Sequence, residues 1–246
     1  MKSVYLAVGH GEKPSGVHDP GAVGGGWTEQ TAGDVIVERA AERLSAAGLA
    51  VTSEAGADDP AYVGTAQEAN RLDVDLLVTI HHDVHTAPEG AFGYHYPGSE
   101  SGRKLAGSIV NALAPLVGTR NAWKGPGQGT AGTPVTGRNL YVLRATRMPA
   151  ALIEIGPIGS LTRLQLQTAG DAVAEGVAGY LDITLEDDMD QDTLRRIIRE
   201  EIDAALGGRD VATDLRRIRI SQRAIGTAVG APVDHQGPDD GSTVIA

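Results

Sequence analysis

The chain has 246 residues, a formal net charge of -11 and no cysteine. Without cysteine it can form neither a disulfide nor a thiolate metal site, so any metal must rest on histidine and carboxylate ligands. The acidic balance, with no basic patch carrying interleaved aromatics, argues against a nucleic-acid binder, and no apolar run approaches the roughly 18–20 residues of a membrane span.

An apolar share of 41% suffices for a core, and aromatics at 4% leave Ala, Val, Leu and Ile to build it. Val4–Val8 is a short run with β-branched residues and predicts a buried first strand. The N-terminal MKSVYLAVGHGEK therefore reads as a strand and not as a signal peptide, since no long apolar stretch or small-residue cleavage site precedes His10. Gly9–Gly26, rich in glycine and holding Pro14 and Pro20, predicts a long loop, functional or mobile. Thr28–Ala47 predicts a helix with Val35, Val37, Ala40 and Leu44 on its apolar stripe and Gly48 as its stop. Leu49–Ser53 follows as a strand and Tyr62–Arg71 as a helix. Leu76–Ile80 is a strand running directly into His81-His82-Asp83. Ala91–Tyr96 alternates as a strand, Arg103–Val117 is a helix, Leu140–Leu143 and Ala150–Ile155 are strands, and Leu161–Leu181 is helical.

Strands alternating with helices predict an α/β fold with a single, mostly parallel sheet of about six strands, spanning residues 1–184. In such sheets ligands bind at the carboxyl ends of strands. His10, His81 and Glu154 all fall at or near predicted strand ends. Residues 185–230 predict a helical extension. Thr193–Leu206 is amphipathic, and Val211–Val229 carries a seven-residue apolar repeat interrupted by Gln222. With its arginines exposed, this extension is expected to mediate homo-oligomerisation or wall targeting; packing on the catalytic domain is the plainer alternative. Residues 231–246, rich in Gly, Asp and Pro, are expected to be a disordered tail.

Each reactive residue has an ordinary explanation. His10, in Gly9-His10-Gly11, could be a loop histidine. Glu29 at a helix start could serve the helix dipole or a cap. Of His81 and His82, successive strand residues that point to opposite faces, one faces any site. His18, His85 and His95 are further histidines with more ordinary roles. Glu154, inside Leu152-Ile153-Glu154-Ile155-Gly156, needs a partner or a job, and a buried ion pair with an arginine would serve. Taken together, two histidines and a glutamate suit Zn²⁺ with one position left for water, whose pKa zinc lowers to about 7. A separate carboxylate, Glu154, is placed to take the water's proton and pass it to a leaving amine.

These motifs resemble the catalytic domain of zinc-dependent N-acetylmuramoyl-L-alanine amidases of cell-wall hydrolases and phage endolysins. The likeness runs from about Val4 to about Leu181. It rests on Gly9-His10-Gly11, Asp19-Pro20-Gly21-Ala22, Gly26-Trp27-Thr28-Glu29, Thr79-Ile80-His81 and Glu154-Ile155-Gly156, in family order. The resemblance implies that His10, Glu29 and His81 bind one zinc ion, that Glu154 is the catalytic carboxylate, and that the substrate is peptidoglycan. It also selects His81 over His82. Ala7-Val8, Glu12, Asp83 and Pro157 depart from the family pattern, and Asp83 adds charge where the family has Asn. Trp123–Arg138 is a candidate substrate loop. Two other readings stay open: a zinc hydrolase of a different amide, and a non-catalytic wall-binding module. The expected setting is a phage endolysin, cytoplasmic until release and then acting on the wall.

Overall fold

The computed structural model describes residues 1–12, 16–55, 63–120, 135–136 and 140–185. The expected helical extension beyond Leu185, the tail, and the Trp123–Arg138 segment apart from Val135–Thr136 lie outside the described residues.

The order of elements is β1 (Ser3–Val8), β2 (Gly11–Glu12), β3 (His18–Asp19), β4 (Val23–Gly24), β5 (Trp27–Thr28), α1 (Glu29–Ala46), β6 (Ala50–Ser53), α2 (Val63–Leu72), β7 (Leu76–Asp83), β8 (Phe92–His95), α3 (Glu100–Val117), β9 (Val135–Thr136), α4 (Tyr141–Ala145), β10 (Ala150–Pro157) and α5 (Arg163–Leu181). The main sheet has six strands in the order β6-β1-β7-β10-β8-β9. β6, β1, β7 and β10 run parallel, β8 is antiparallel to β10, and β9 runs parallel to β8. The α/β fold with a mostly parallel sheet flanked by helices is as the sequence predicts.

The central strands read as unbroken apolar runs because helices cover both faces. Val4, Leu6, Val78, Ile80, Ala151 and Ile153 point to one face, where they form the main core with the apolar sides of α1, α3 and α5. Tyr5, Ala7, Leu77, Ala150 and Leu152 point to the other, with Ala69 of α2 and Val142 and Leu143 of α4. Ala, Val, Leu and Ile dominate both cores. Helix starts are set by side-chain caps: Thr28 and Thr31 form a capping box on α1, Ser99 accepts from Gly102 N on α3, and Thr162 and Gln165 form a second box on α5. Such caps contribute about 1 kcal/mol each. Glu29 is thus not the capping residue of α1.

Two sequence expectations need correction. Leu140–Leu143 is not a strand: Tyr141–Ala145 is the short helix α4. Its apolar run was too short for periodicity to separate strand from helix. Two partners on other elements stabilise the helix. Val142 and Leu143 both bury against α2 and β10, and Asn70 Nδ2 donates to the Ala145 carbonyl at 2.8 Å. The sixth strand is instead β9. The Gly9–Gly26 stretch, read as loop, contains the antiparallel ribbon β2–β3 and the strand β4, which pairs antiparallel with β5 just beyond the stretch.

Candidate active site

Three separate elements deliver the first cluster. His10 follows β1 at φ 72°, a left-handed conformation that side chains other than glycine seldom adopt. Glu29 opens α1, and His81 lies in β7. One oxygen of Glu29, Oε1, stands 3.1 Å from His10 Nε2 and 2.9 Å from His81 Nδ1. It also accepts the His82 backbone N–H at 3.1 Å. The other oxygen accepts from Ala22 N at 2.9 Å, which fixes the carboxylate plane. The two imidazoles meet edge to face with centroids 5.3 Å apart.

Glycines make room for this convergence. A Cβ on Gly9 would lie only 2.2 Å from His81 Cε1 and 2.3 Å from its Nδ1, and one on Gly21 would lie 2.6 Å from Glu29 Oε2 and 2.7 Å from His10 Cδ2. Gly21 also has φ 71°. Both positions therefore require glycine, the first for space and the second for space and backbone conformation together.

His10, Glu29 and His81 each offer a donor atom, and these atoms lie within 4.8 Å of one another, so the group could hold a metal ion. The donor chemistry fits a borderline-soft divalent cation that takes imidazole and carboxylate. The electrostatics fit as well. Burial would raise the Glu29 carboxyl, but hydrogen bonds and charge from His10 and His81 hold it well below the usual carboxylate range. Burial would lower His10, yet Glu29 and then Asp19 outweigh it and hold the imidazole above its ordinary value. The cluster is a preformed anion facing two basic nitrogens, the arrangement a cation would replace.

Glu154 lies on β10 in register with His81 on the paired strand β7. His81 shares the face of β7 that carries Leu77, and Glu154 the face of β10 that carries Leu152, so both project to the same side of the sheet. Adjacent strands are about 4.8 Å apart, which sets the glutamate beside the cluster. Its Oε2 is sealed and has no hydrogen-bond partner, while the residue as a whole keeps partial solvent contact. Burial pushes its carboxyl up to about 8, the nearby Glu29 charge adds to this, and Arg120 works against it. Among the described residues Glu154 has no arginine ion pair. The arginine near it, Arg120, instead donates to Asp83 through Nη2 and to the Gly90 carbonyl through Nε at 2.9 Å, with its guanidinium 4.2 Å above the Phe92 ring.

The remaining histidines stay out of the cluster. His82 is buried on the opposite face, and its desolvated ring is pushed down to about 4, Glu29 opposing. His95 is buried with Nδ1 2.9 Å from the Tyr96 carbonyl, a satisfied core histidine. His18 and His85 are exposed. Sequence reasoning missed Arg120 entirely and gave Asp19 no role. Asp19 had a signal, its place in the Asp-Pro-Gly-Ala element; Arg120, just past a helix end, had none.

Residues 4–182 match the family model described as N-acetylmuramoyl-L-alanine amidase. Similar solved structures include the N-acetylmuramyl-L-alanine amidase Ami1 of Mycobacterium smegmatis, at 20% identity and a TM-score of 0.61, covering 74% of this chain and 97% of that one. The catalytic domain of CwlV, an N-acetylmuramoyl-L-alanine amidase from Bacillus (Paenibacillus) polymyxa var. colistinus, matches at 23% identity and a TM-score of 0.60, covering 75% and 100%. The catalytic domain of CD27L endolysin, targeting Clostridia difficile, matches at 18% identity and a TM-score of 0.56, covering 73% and 98%. At these identities the likeness is one of fold. No curated protein matches the chain.

Proposed function

Because the chain belongs to the N-acetylmuramoyl-L-alanine amidase family, we propose that it hydrolyses the amide bond between N-acetylmuramic acid and the L-alanine of the peptidoglycan stem peptide, with His10, Glu29 and His81 holding one zinc ion and Glu154 as the general base. The observation that carries this reading is the pairing of Glu154 with His81 across β7 and β10. It sets, beside a metal-competent cluster, a carboxylate whose Oε2 has no hydrogen-bond partner among the described residues. Zinc held there would supply the Lewis acidity that activates water and polarises the amide carbonyl.

The chain's own residues do the rest. The Ala22 N–H fixes the Glu29 carboxylate, which faces both imidazoles and would hold the ion together with them. Glu154 takes a proton from water as its oxygen bonds to the carbonyl carbon. When the C–N bond breaks, the same carboxyl returns the proton to the L-alanine amine, so one group serves both half-steps. Its partial solvent contact lets a water reach it, and its elevated pKa makes it a competent proton carrier near neutral pH.

The wider setting follows the same reading. A lytic enzyme of the endolysin kind, held in the cytoplasm until release and then acting on the wall, is supported by the shared fold of an endolysin catalytic domain. Residues 1–184 would form the catalytic domain. Residues 185–230 would form helices that pair with a second copy, supported by their seven-residue apolar repeat.

The test is mass spectrometry of purified peptidoglycan after digestion, with and without a zinc chelator. Free stem peptides beginning at L-alanine, lost on chelation and restored by zinc, are expected. Intact muramoyl-peptide linkages in the presence of folded, zinc-loaded protein would overturn the substrate assignment.

A further inference from the structure

We propose that Asp19 is a positioning residue for the metal centre, fixing the His10 tautomer so that Nε2 keeps its lone pair for the cation; this rests on the metal-site reading above. His10 stands just beyond the end of β1, outside any strand ladder, and at φ 72°. Its ring therefore needs an external guide. The β2–β3 ribbon provides one. Gly11, the residue after His10, pairs with Asp19, and this register brings Asp19 Oδ2 to 3.3 Å from His10 Nδ1.

Asp19 is itself anchored. Its Oδ1 accepts the Gly21 backbone N–H at 3.2 Å, in the same turn whose glycine gives room to Glu29 and His10. One carboxylate oxygen thus ties to the turn and the other faces the imidazole. A neutral imidazole carries one N–H and one lone pair. An acceptor at Nδ1 favours the proton there and frees the Nε2 lone pair for a cation, which would displace the contact of Nε2 with Glu29 Oε1 at 3.1 Å. Asp19 approaches the ring from the side away from the cluster and is not one of the grouped donors, so its part is orientation and not ligation. Carboxylates behind metal-bound histidines commonly act this way, and losing one weakens metal binding about 10–100-fold.

The isosteric variant Asp19→Asn separates this role from a purely architectural one. Its carbonyl would still accept from Gly21 N, so the turn survives. Its amide group would then face His10 Nδ1 as a donor, which favours the proton on Nε2 and blocks the lone pair the metal needs. Zinc dissociation constants by competition with a chromophoric chelator should rise about 10–100-fold in Asp19→Asn, with the metal-free thermal midpoint near that of the parent. Unchanged zinc affinity in that variant would overturn the proposal while leaving the metal centre standing. A parent protein that binds no zinc would overturn both. Should the variant not fold, imidazole nitrogen NMR of the zinc-loaded parent decides. His10 protonated at Nδ1 and metal-bound through Nε2 is expected, and the reverse refutes it.

Discussion

Asp83 and Arg120 form an ion pair between the last residue of β7 and the chain just beyond α3. Asp83 lies two residues past His81, and the pair neutralises its charge. Arg120 is locked by the Gly90 carbonyl and by Phe92 as well, so its charge is fixed within reach of Glu154 and partly offsets the burial that raises that carboxyl.

Arg120→Met should leave Asp83 with an unmatched charge in a poorly solvated place. The expected loss in unfolding free energy is about 3–5 kcal/mol. Adding Asp83→Asn in the same chain should recover much of it, because the stranded charge is then gone. Denaturant titration of both single variants and the double variant measures the coupling. Strictly additive losses would show that the pair carries none.

Glu154→Gln keeps the shape of the side chain but cannot shuttle a proton. Stem-peptide release should fall by about 10²–10⁴-fold, while zinc content by elemental analysis stays at that of the parent. Loss of zinc together with activity would make Glu154 a ligand and refute its assignment as base.

Gly9→Ala places a methyl 2.2 Å from the His81 ring. The ring must swing away from Glu29 Oε1, so zinc affinity should drop by about tenfold or more. Chelator competition reads this directly. Gly48→Ala, at a glycine of φ 83° with open space around its Cβ position, is the control. It should cost a little stability and leave zinc binding untouched.

His82 gives a pH signature in the metal-free protein. Its folded pKa of about 4 lies below the ordinary value of 6.5 because burial disfavours the charged ring. The unfolded chain therefore binds the proton first, and the stability this group contributes is complete above about pH 6.5 and is lost as pH falls toward 4. His10, held above its ordinary value, acts in the opposite sense, so His82→Phe is the needed comparison. Between pH 6.5 and 4 the variant's stability should fall less steeply than the parent's, whatever its level at neutral pH. Equal slopes would assign the acid sensitivity to other groups.

How far the sequence spoke depends on the range of the interactions. His10 and His81 were legible because each follows an apolar run, and Glu154 because it interrupts one; parallel strands collect such positions on one rim. Glu29 was legible as a helix start, but only the motif order suggested that its side chain leaves the helix dipole to join two imidazoles. The choice of His81 over His82 also needed that resemblance, since alternation alone permits either. Leu140–Leu143 misled because its helical state depends on Asn70 and on burial against α2, partners no local pattern reveals. Arg120 was illegible for a related reason: its meaning comes from Asp83, Gly90 and Phe92, which meet it only through the sheet.

The strand order β6-β1-β7-β10 has a consequence for the chain as it is being made. A ribosome that has released residues only as far as Asp83 has supplied His10, Glu29 and His81. It has not yet supplied β10, which flanks β7 and carries Glu154. The Gly24–Gly25 turn near the cluster likewise has nothing to rest on until Gly159 arrives, since a Cβ on Gly25 would meet the Gly159 backbone at 2.5 Å. With Glu154 as the proposed base, fragments that end before β10 are expected to be inert toward the wall. On that reading the hydrolytic site is completed only when β10 joins β7.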